Sequence, residues 1–287
     1  MKYDISEYYI CHFIRLTIVF RNIYLMEEAQ RKIQECLDNK ETQLYLNNLQ
    51  LTHLPDNLPA SLTHLYCHNN QIRELPTILP ASLTHLYCNN NQIRELPTIL
   101  PDSLQGLYCF NNQIQMLPTN LPTSLTDLDC SNNRIQTLSD NLPDSLIYLI
   151  CVSNQIRMLP KKLPTSLIIL YCSHNQIEML PCYLPPSLQE LDCFNNPIRM
   201  LPTNLPPLID IYCSGNNLRI LPLKLRIMKC NIICVNVDKL YYNEALNVTK
   251  RTIIKHRWRH RFYQWICYVR LQKYVDPDAS KIICAYL

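Results

Sequence analysis

Cysteine and histidine carry most of the reactive chemistry available to this chain, and their spacing argues against catalysis. Cys67, Cys88, Cys109, Cys130, Cys151, Cys172 and Cys193 fall 21 residues apart; Cys213 follows after 20 and Cys234 after 21. A nucleophile needs one special environment that activates it. A thiol that returns on every beat holds a single packing position many times over. His64 and His85 recur for the same reason, because Pro59–Leu79 matches Pro80–Leu100 at every position except His68 against Asn89. No phosphate-cradling glycine loop, HExxH or nucleophile elbow occurs, and no Cys/His spacing suits zinc. The reading is non-enzymatic, with no catalytic residue, metal, cofactor or small-molecule substrate.

Binding chemistry is more promising. In the repeated phrase, spelled LTHLYCNNNQIRELP at Leu83–Pro97, period-two alternation predicts a strand with Leu and Cys inward and Tyr with its flanks outward. The central outward column reads Tyr45, Tyr66, Tyr87, Tyr108, Asp129, Ile150, Tyr171, Asp192 and Tyr212. Beside it lie His64, His85, Asp127, Tyr148, Glu190 and Asp210 on one flank, and His68, Phe110, Val152 and Phe194 on the other. None of these columns contains Lys or Arg. Tyrosine offers large rigid area plus a hydroxyl, which suits protein contact. The competing explanation is that stacked tyrosines only stabilise the sheet through cross-strand packing. The predicted partner-binding set is His64, His85, Tyr66, Tyr87, Tyr108, Phe110, Asp129, Tyr148, Tyr171, Asp192, Phe194 and Tyr212.

These columns need a scaffold of stacked strands, and the period supplies it. A fixed period in the twenties with L-x-x-L-x-(L/C)-x-x-N-x-L is the leucine-rich-repeat signature. It predicts a repeat solenoid, a horseshoe with a parallel β-sheet on its concave face. Leu62, Leu65, Cys67 and Ile72 stack inward on their equivalents. Asn70, Asn91, Asn112, Asn133, Asn154, Asn175, Asn196 and Asn216 stand where the chain leaves the strand, where a buried amide can satisfy backbone groups of successive turns. The return arm LPTILPASL carries two prolines, which disfavours a helix and favours extended, polyproline-like backbone. With two glycines in the chain, Gly106 and Gly215, Asn must also serve left-handed turn positions.

The ends depart from the phrase. Residues 1–40 read as an N-terminal helical cap: Asp4 with Glu7 resembles a capping box, Ile10, Phe13, Ile14, Thr17 and Ile18 have helical spacing, and Ala29, Ile33, Cys36 and Leu37 form one face of a second helix. Residues 41–234 hold about nine to ten repeats, and residues 235–287 read as a C-terminal basic amphipathic helical cap. There Ile254, Trp258, Phe262, Trp265, Ile266 and Val269 recur at helical spacing. Lys250, Arg251, Lys255, Arg257, Arg259, Arg261, Arg270 and Lys273 supply eight positives with no acid between them. Without them the formal charge of +4 becomes −4, so the basicity is local. That helix has three readings: an end cap, a binder of acidic surfaces such as nucleic acid or membrane, or a calmodulin-type target. Asp4 and Glu7, with Arg15 and Arg21 further on, argue against a signal peptide. Cysteines in leucine-like positions act as small buried hydrophobes. Together these predict a reduced, intracellular, cytoplasmic protein.

The stretch from Glu28 to Leu62, EAQRKIQECLDNKETQLYLNNLQLTHLPDNLPASL, resembles the start of the repeat domain in leucine-rich-repeat effector ubiquitin ligases of enteric bacterial pathogens. The resemblance covers roughly residues 28–225 and implies a helical cap and a curved solenoid that recruits protein on its concave side. The partner it implies is a host protein, met in the host cytoplasm. Ligase activity does not carry over, because the family's Cys-x-Asp nucleophile lies in a longer domain after the repeats. The Cys-x-Asp here, Cys36 to Asp38, matches the cap. The LYCxNNQIxxLP array is also similar to repeat proteins of giant amoeba viruses. The resulting function is a protein–protein interaction scaffold or adaptor. The alternatives are a substrate receptor associated with ubiquitin ligation, and a nucleic-acid or membrane binder acting through 250–273. Truncation after Cys234 is expected to expose the last repeat and cause aggregation, since uncapped terminal repeats are insoluble. Light scattering checks this, and a monomeric truncated chain with unchanged Tm would make the basic helix a free arm.

Overall fold

The computed structural model describes residues 24–218, 222 and 231–233. Backbone is helical over 24–38 (α1). Ten three-residue strands follow: β1 Gln43–Tyr45, β2 His64–Tyr66, β3 His85–Tyr87, β4 Gly106–Tyr108, β5 Asp127–Asp129, β6 Tyr148–Ile150, β7 Ile169–Tyr171, β8 Glu190–Asp192, β9 Asp210–Tyr212 and β10 Asn231–Ile233. They form one sheet in chain order. Every pairing is parallel, and equivalent residues meet across it, as with Leu86 opposite Leu107 and Tyr87 opposite Tyr108. The repeat period thus becomes the register.

Each turn buries six apolar side chains. Leu62, Leu65, Cys67, Ile72, Leu75 and Leu79 belong to one core cluster, and so do their counterparts in the turns that follow. Cysteine fills the inward position from Cys67 to Cys213, where β1 uses Leu46 instead. The return arms contain neither helix nor strand, as the one to three prolines in each arm favour. Ala29, Ile33 and Cys36 of α1 join the same core, and Cys36 Sγ lies 3.4 Å from the carbonyl of Glu41. Leu37, expected on this face, is 45% exposed, because one residue turns a helix by about 100° away from its neighbour Cys36. The helix expected N-terminal to α1 falls on residues up to 23, outside the described residues.

Two adjacent positions share the work of turning the chain. Asn69, Asn90, Asn111, Asn132, Ser153, His174 and Asn195 hold φ between +52° and +55°. Gly215 takes that place with φ +69°, and a Cβ there would lie 3.2 Å from Asn195 Cα. The next residue is the ladder Asn. Asn112 Nδ2 donates to the carbonyls of Cys88 at 3.0 Å, Cys109 at 3.1 Å and Phe110 at 3.3 Å. Its Oδ1 accepts the Ile93 amide at 2.9 Å. One side chain therefore closes its own turn and fastens it to the turn before.

A second ladder escaped the sequence reading. Ser82 Oγ lies 2.8 Å from the Ala60 carbonyl and 2.7 Å from that of Leu62, and Ser103, Ser124 and Ser187 repeat this on their own preceding arms. The signal was the recurring Ser-Leu that opens each strand phrase.

Replacing Asn112 by Ala strands one amide and up to three carbonyls in the core, at a cost of about 1–3 kcal/mol. Arg157→Ala, at an exposed side chain, should cost far less. Thermal unfolding of the two variants checks the difference, and equal Tm values would remove this account of the turn.

Candidate functional site

The sheet's outward columns form the candidate site, and aromatic stacking is its first organising feature. Tyr45, Tyr66, Tyr87 and Tyr108 lie face to face, with ring centroids 4.6, 4.6 and 4.7 Å apart. His64 and His85 stack beside them at 4.6 Å. Each imidazole Nδ1 sits 3.0 Å from the hydroxyl of the preceding threonine, Thr63 or Thr84. Parallel strands lie ~4.8 Å apart, so identical rings in register meet at stacking distance.

Stacking changes what these tyrosines present. Tyr66 is 1% exposed, Tyr87 4% and Tyr212 5%, although their positions face outward. All three belong to the predicted partner-binding set, and their burial leaves little of each side chain for a partner to touch. Tyr108, Tyr148, Tyr171, Phe110 and Phe194 are half-buried, as are His64, His85, Asp129 and Asp192. Tyr171 donates its hydroxyl to Glu190 Oε2 at 2.5 Å. The ladder of rings ends at β4, where Tyr108 faces Asp129.

Electrostatics follow burial. The Asp129 carboxyl is pushed up to about 6 by desolvation, moderated by the Ser131 amide that it accepts at 3.0 Å. Burial lowers His64 and His85; the charge of His64 lowers His85 further, and Asp127 raises it. Burial takes His68 down to about 4, and its Nδ1 has no hydrogen-bond partner. The inward thiols move the other way: burial raises Cys67 and Cys151 to about 12 and Cys88, Cys109, Cys130 and Cys172 well above the ordinary value. A thiol held protonated in a core is a poor nucleophile. Among the described residues no group of three His, Cys, Asp or Glu side chains could hold a metal ion, and no helix is long and apolar enough to cross a membrane.

A two-copy leucine-rich-repeat model matches residues 60–102 and a single leucine-rich-repeat model matches 124–149. The solved structure of YopM from Yersinia enterocolitica WA-314 is 38% identical, with a TM-score of 0.58, over 68% of this chain and 47% of that one. The chain belongs to the leucine-rich-repeat proteins of bacterial-effector type. It spans about half the length of that YopM. A Shigella effector leucine-rich-repeat domain is 31% identical over 70% of this chain and 80% of its own, with a TM-score of 0.49. A Leptospira interrogans leucine-rich-repeat protein, 24% identical over 67% of this chain and 66% of its own with a TM-score of 0.51, shares the fold. No curated protein matches the sequence significantly.

As a leucine-rich-repeat solenoid the chain is an interaction scaffold, and two of its surface features went unread in the sequence. Short and bulky residues alternate along one outward flank: His68, Phe110, Val152 and Phe194 take turns with Asn89, Ser131, Ser173 and Ser214. On the arms Met116, Met158, Met179 and Met200 are exposed, a stripe legible from their spacing of 21 or 42. The basic residues Lys250, Arg251, Lys255, Arg257, Arg259 and Arg261 lie outside the described residues.

Asp129 generates a pH prediction. Its folded pKa exceeds the ordinary carboxylate value, so its protonation favours the fold; that contribution is full below about 4 and is lost as pH rises through 6. Asp129→Asn keeps an oxygen for the Ser131 amide and removes the buried charge. The variant should melt a few degrees higher than the parent at pH 7, on the scale of ~1 kcal/mol, and no higher at pH 3.5. Calorimetry at both values checks this; an advantage that persists unchanged at low pH would assign it to another cause.

Proposed function

We propose that this solenoid is a non-enzymatic adaptor that binds a protein partner on its concave face, through half-buried aromatic and aliphatic side chains interspersed with acids. The observation that carries the reading is the composition of the outward columns from β1 to β9: aromatic, aliphatic, acidic and small polar residues with no Lys or Arg. Such a surface favours a partner with basic and apolar groups and repels phosphate-rich ones. Leucine-rich-repeat proteins commonly work by protein contact, which supports the scaffold reading and the absence of catalysis in the proposal. A role in ubiquitin ligation by this segment alone is disfavoured by Cys36, which is buried and has its thiol raised by burial and by Glu41.

The partner is read as a host protein, met in a reducing cytoplasm. Likeness to a Yersinia effector supports the host setting, and a buried ladder of free thiols suits a reducing compartment.

Tyr148 and Tyr171 are better probes than Tyr66 or Tyr87, because they stand half-buried outside the aromatic stack. Replacing both by Ala should weaken capture of a partner from host-cell lysate at least tenfold, about 1.4 kcal/mol, with Tm lowered by no more than a few degrees. Quantitative pull-down alongside thermal unfolding checks this. Capture unchanged by the double variant, but abolished by removing residues 250–273, would move the function to the basic segment.

A further inference from the structure

Sulfur occupies two opposite environments in this array. The eight inward cysteines from Cys67 to Cys213 are at most 1% exposed. Peroxides ordinarily attack cysteine before methionine, and the form they attack is the thiolate. Burial denies them that form, because it holds the core thiols protonated. Among the described cysteines Cys182 alone is exposed. A chain of 15 cysteines therefore offers an oxidant few thiols on its folded array.

The methionines are placed the other way. Four of the seven in the chain share one repeat position on the return arms. Met116 is 71% exposed, Met158 70%, Met179 68% and Met200 67%. The same position holds His53, Glu74, Glu95 and Thr137 in other turns, all exposed, so packing does not ask for an apolar side chain there. Met158, Met179 and Met200 fall on three successive turns whose arms are tied by main-chain bonds. The Gln176 amide donates to the Ile156 carbonyl at 2.9 Å, and the Arg199 amide to the Glu178 carbonyl at 3.4 Å. The three thioethers thus leave neighbouring arms in one register, each open to solvent. Met26 of α1 packs partly buried against the core and supplies an internal contrast.

We propose that Met116, Met158, Met179 and Met200 form a reversible oxidation site, which reacts with hydrogen peroxide in place of the core cysteines. The peroxide transfers one oxygen atom to the thioether. An S–O bond forms, the O–O bond breaks, sulfur gives up two electrons, and water leaves with both peroxide protons. Methionine sulfoxide reductases, one for each sulfoxide epimer, run the return with electrons from a thiol reductant, and they need the sulfoxide within reach. Oxidation makes an apolar side chain polar, which disrupts a core. Here both forms face water, so the fold survives while the stripe changes from apolar to polar. The site lies on the arms and is independent of the concave-face reading.

The test is a time course of the full chain in hydrogen peroxide, read by peptide mass spectrometry, once folded and once in urea. In the folded protein the four stripe methionines should gain one oxygen each, at least tenfold faster than the thiols from Cys67 to Cys213 and several-fold faster than Met26. Cys182 should react with them. In urea the order should invert, with the array thiols ahead of every methionine, because the fold alone protects them. The oxidised protein should keep its Tm within a few degrees, and the two reductases should restore all four methionines without unfolding it. Array thiols oxidised as fast as the stripe in the folded chain overturn the assignment. So does the same order with and without urea, a stripe methionine no faster than Met26, or sulfoxides that the reductases cannot reduce in the folded protein.

Discussion

The structure depends on one side chain doing the hydrogen bonding that secondary structure does elsewhere. A three-residue strand satisfies few backbone groups, and an arm with two prolines satisfies fewer. The ladder asparagine makes up the difference: from Asn91 to Asn216 each amide donates to carbonyls of its own turn and of the turn before, and each carboxamide oxygen accepts an amide from the preceding turn. These bonds lie in or beside the core, where leaving a partner unmade costs more than making it returns. Neighbouring turns are thereby fixed at one separation, and that separation brings the rings of the concave face to stacking distance.

Fixed spacing divides the labour among positions. Inward residues are nearly constant because each must fit between two copies of itself, which is why cysteine, a small apolar side chain, can repeat so often. Outward residues carry no such constraint and vary strand by strand. The left-handed position tolerates Asn, Ser, His and Gly, since its requirement is conformational. The residue that follows is Asn in every turn from Asn70 to Asn216, since its requirement is a pattern of donors and acceptors that no other side chain of that size reproduces.

What the sequence made legible follows this division. Register, inward residues and the asparagine ladder were all readable, because each is stated once per period and the period is unbroken except before Cys213. The serine ladder was stated as often and still missed, because a hydroxyl in a loop phrase has no single expected partner, whereas a buried amide does. Leu37 failed for lack of a period: in one helix of a few turns, a residue at the edge of the apolar face can fall either way. Tyr66 and Tyr87 were placed on the right side of the sheet, yet their exposure could not be read. Alternation reports direction, and burial depends on what stands beside each ring.

The same reasoning locates where recognition can differ from turn to turn. An uninterrupted column of stacked tyrosines buries its own faces and offers edges and hydroxyls, which many partners could meet. Specificity needs an interruption of that column. Asp129 at β5 and Asp192 at β8 each make one, and their neighbours differ: Asp127 and Ser131 on β5, Glu190 and Phe194 on β8. The short side chains of β5 bury no apolar area of their own and leave a carboxylate desolvated, so they weaken the fold locally. A solenoid can bear such a loss because each turn is held by its neighbours on both sides.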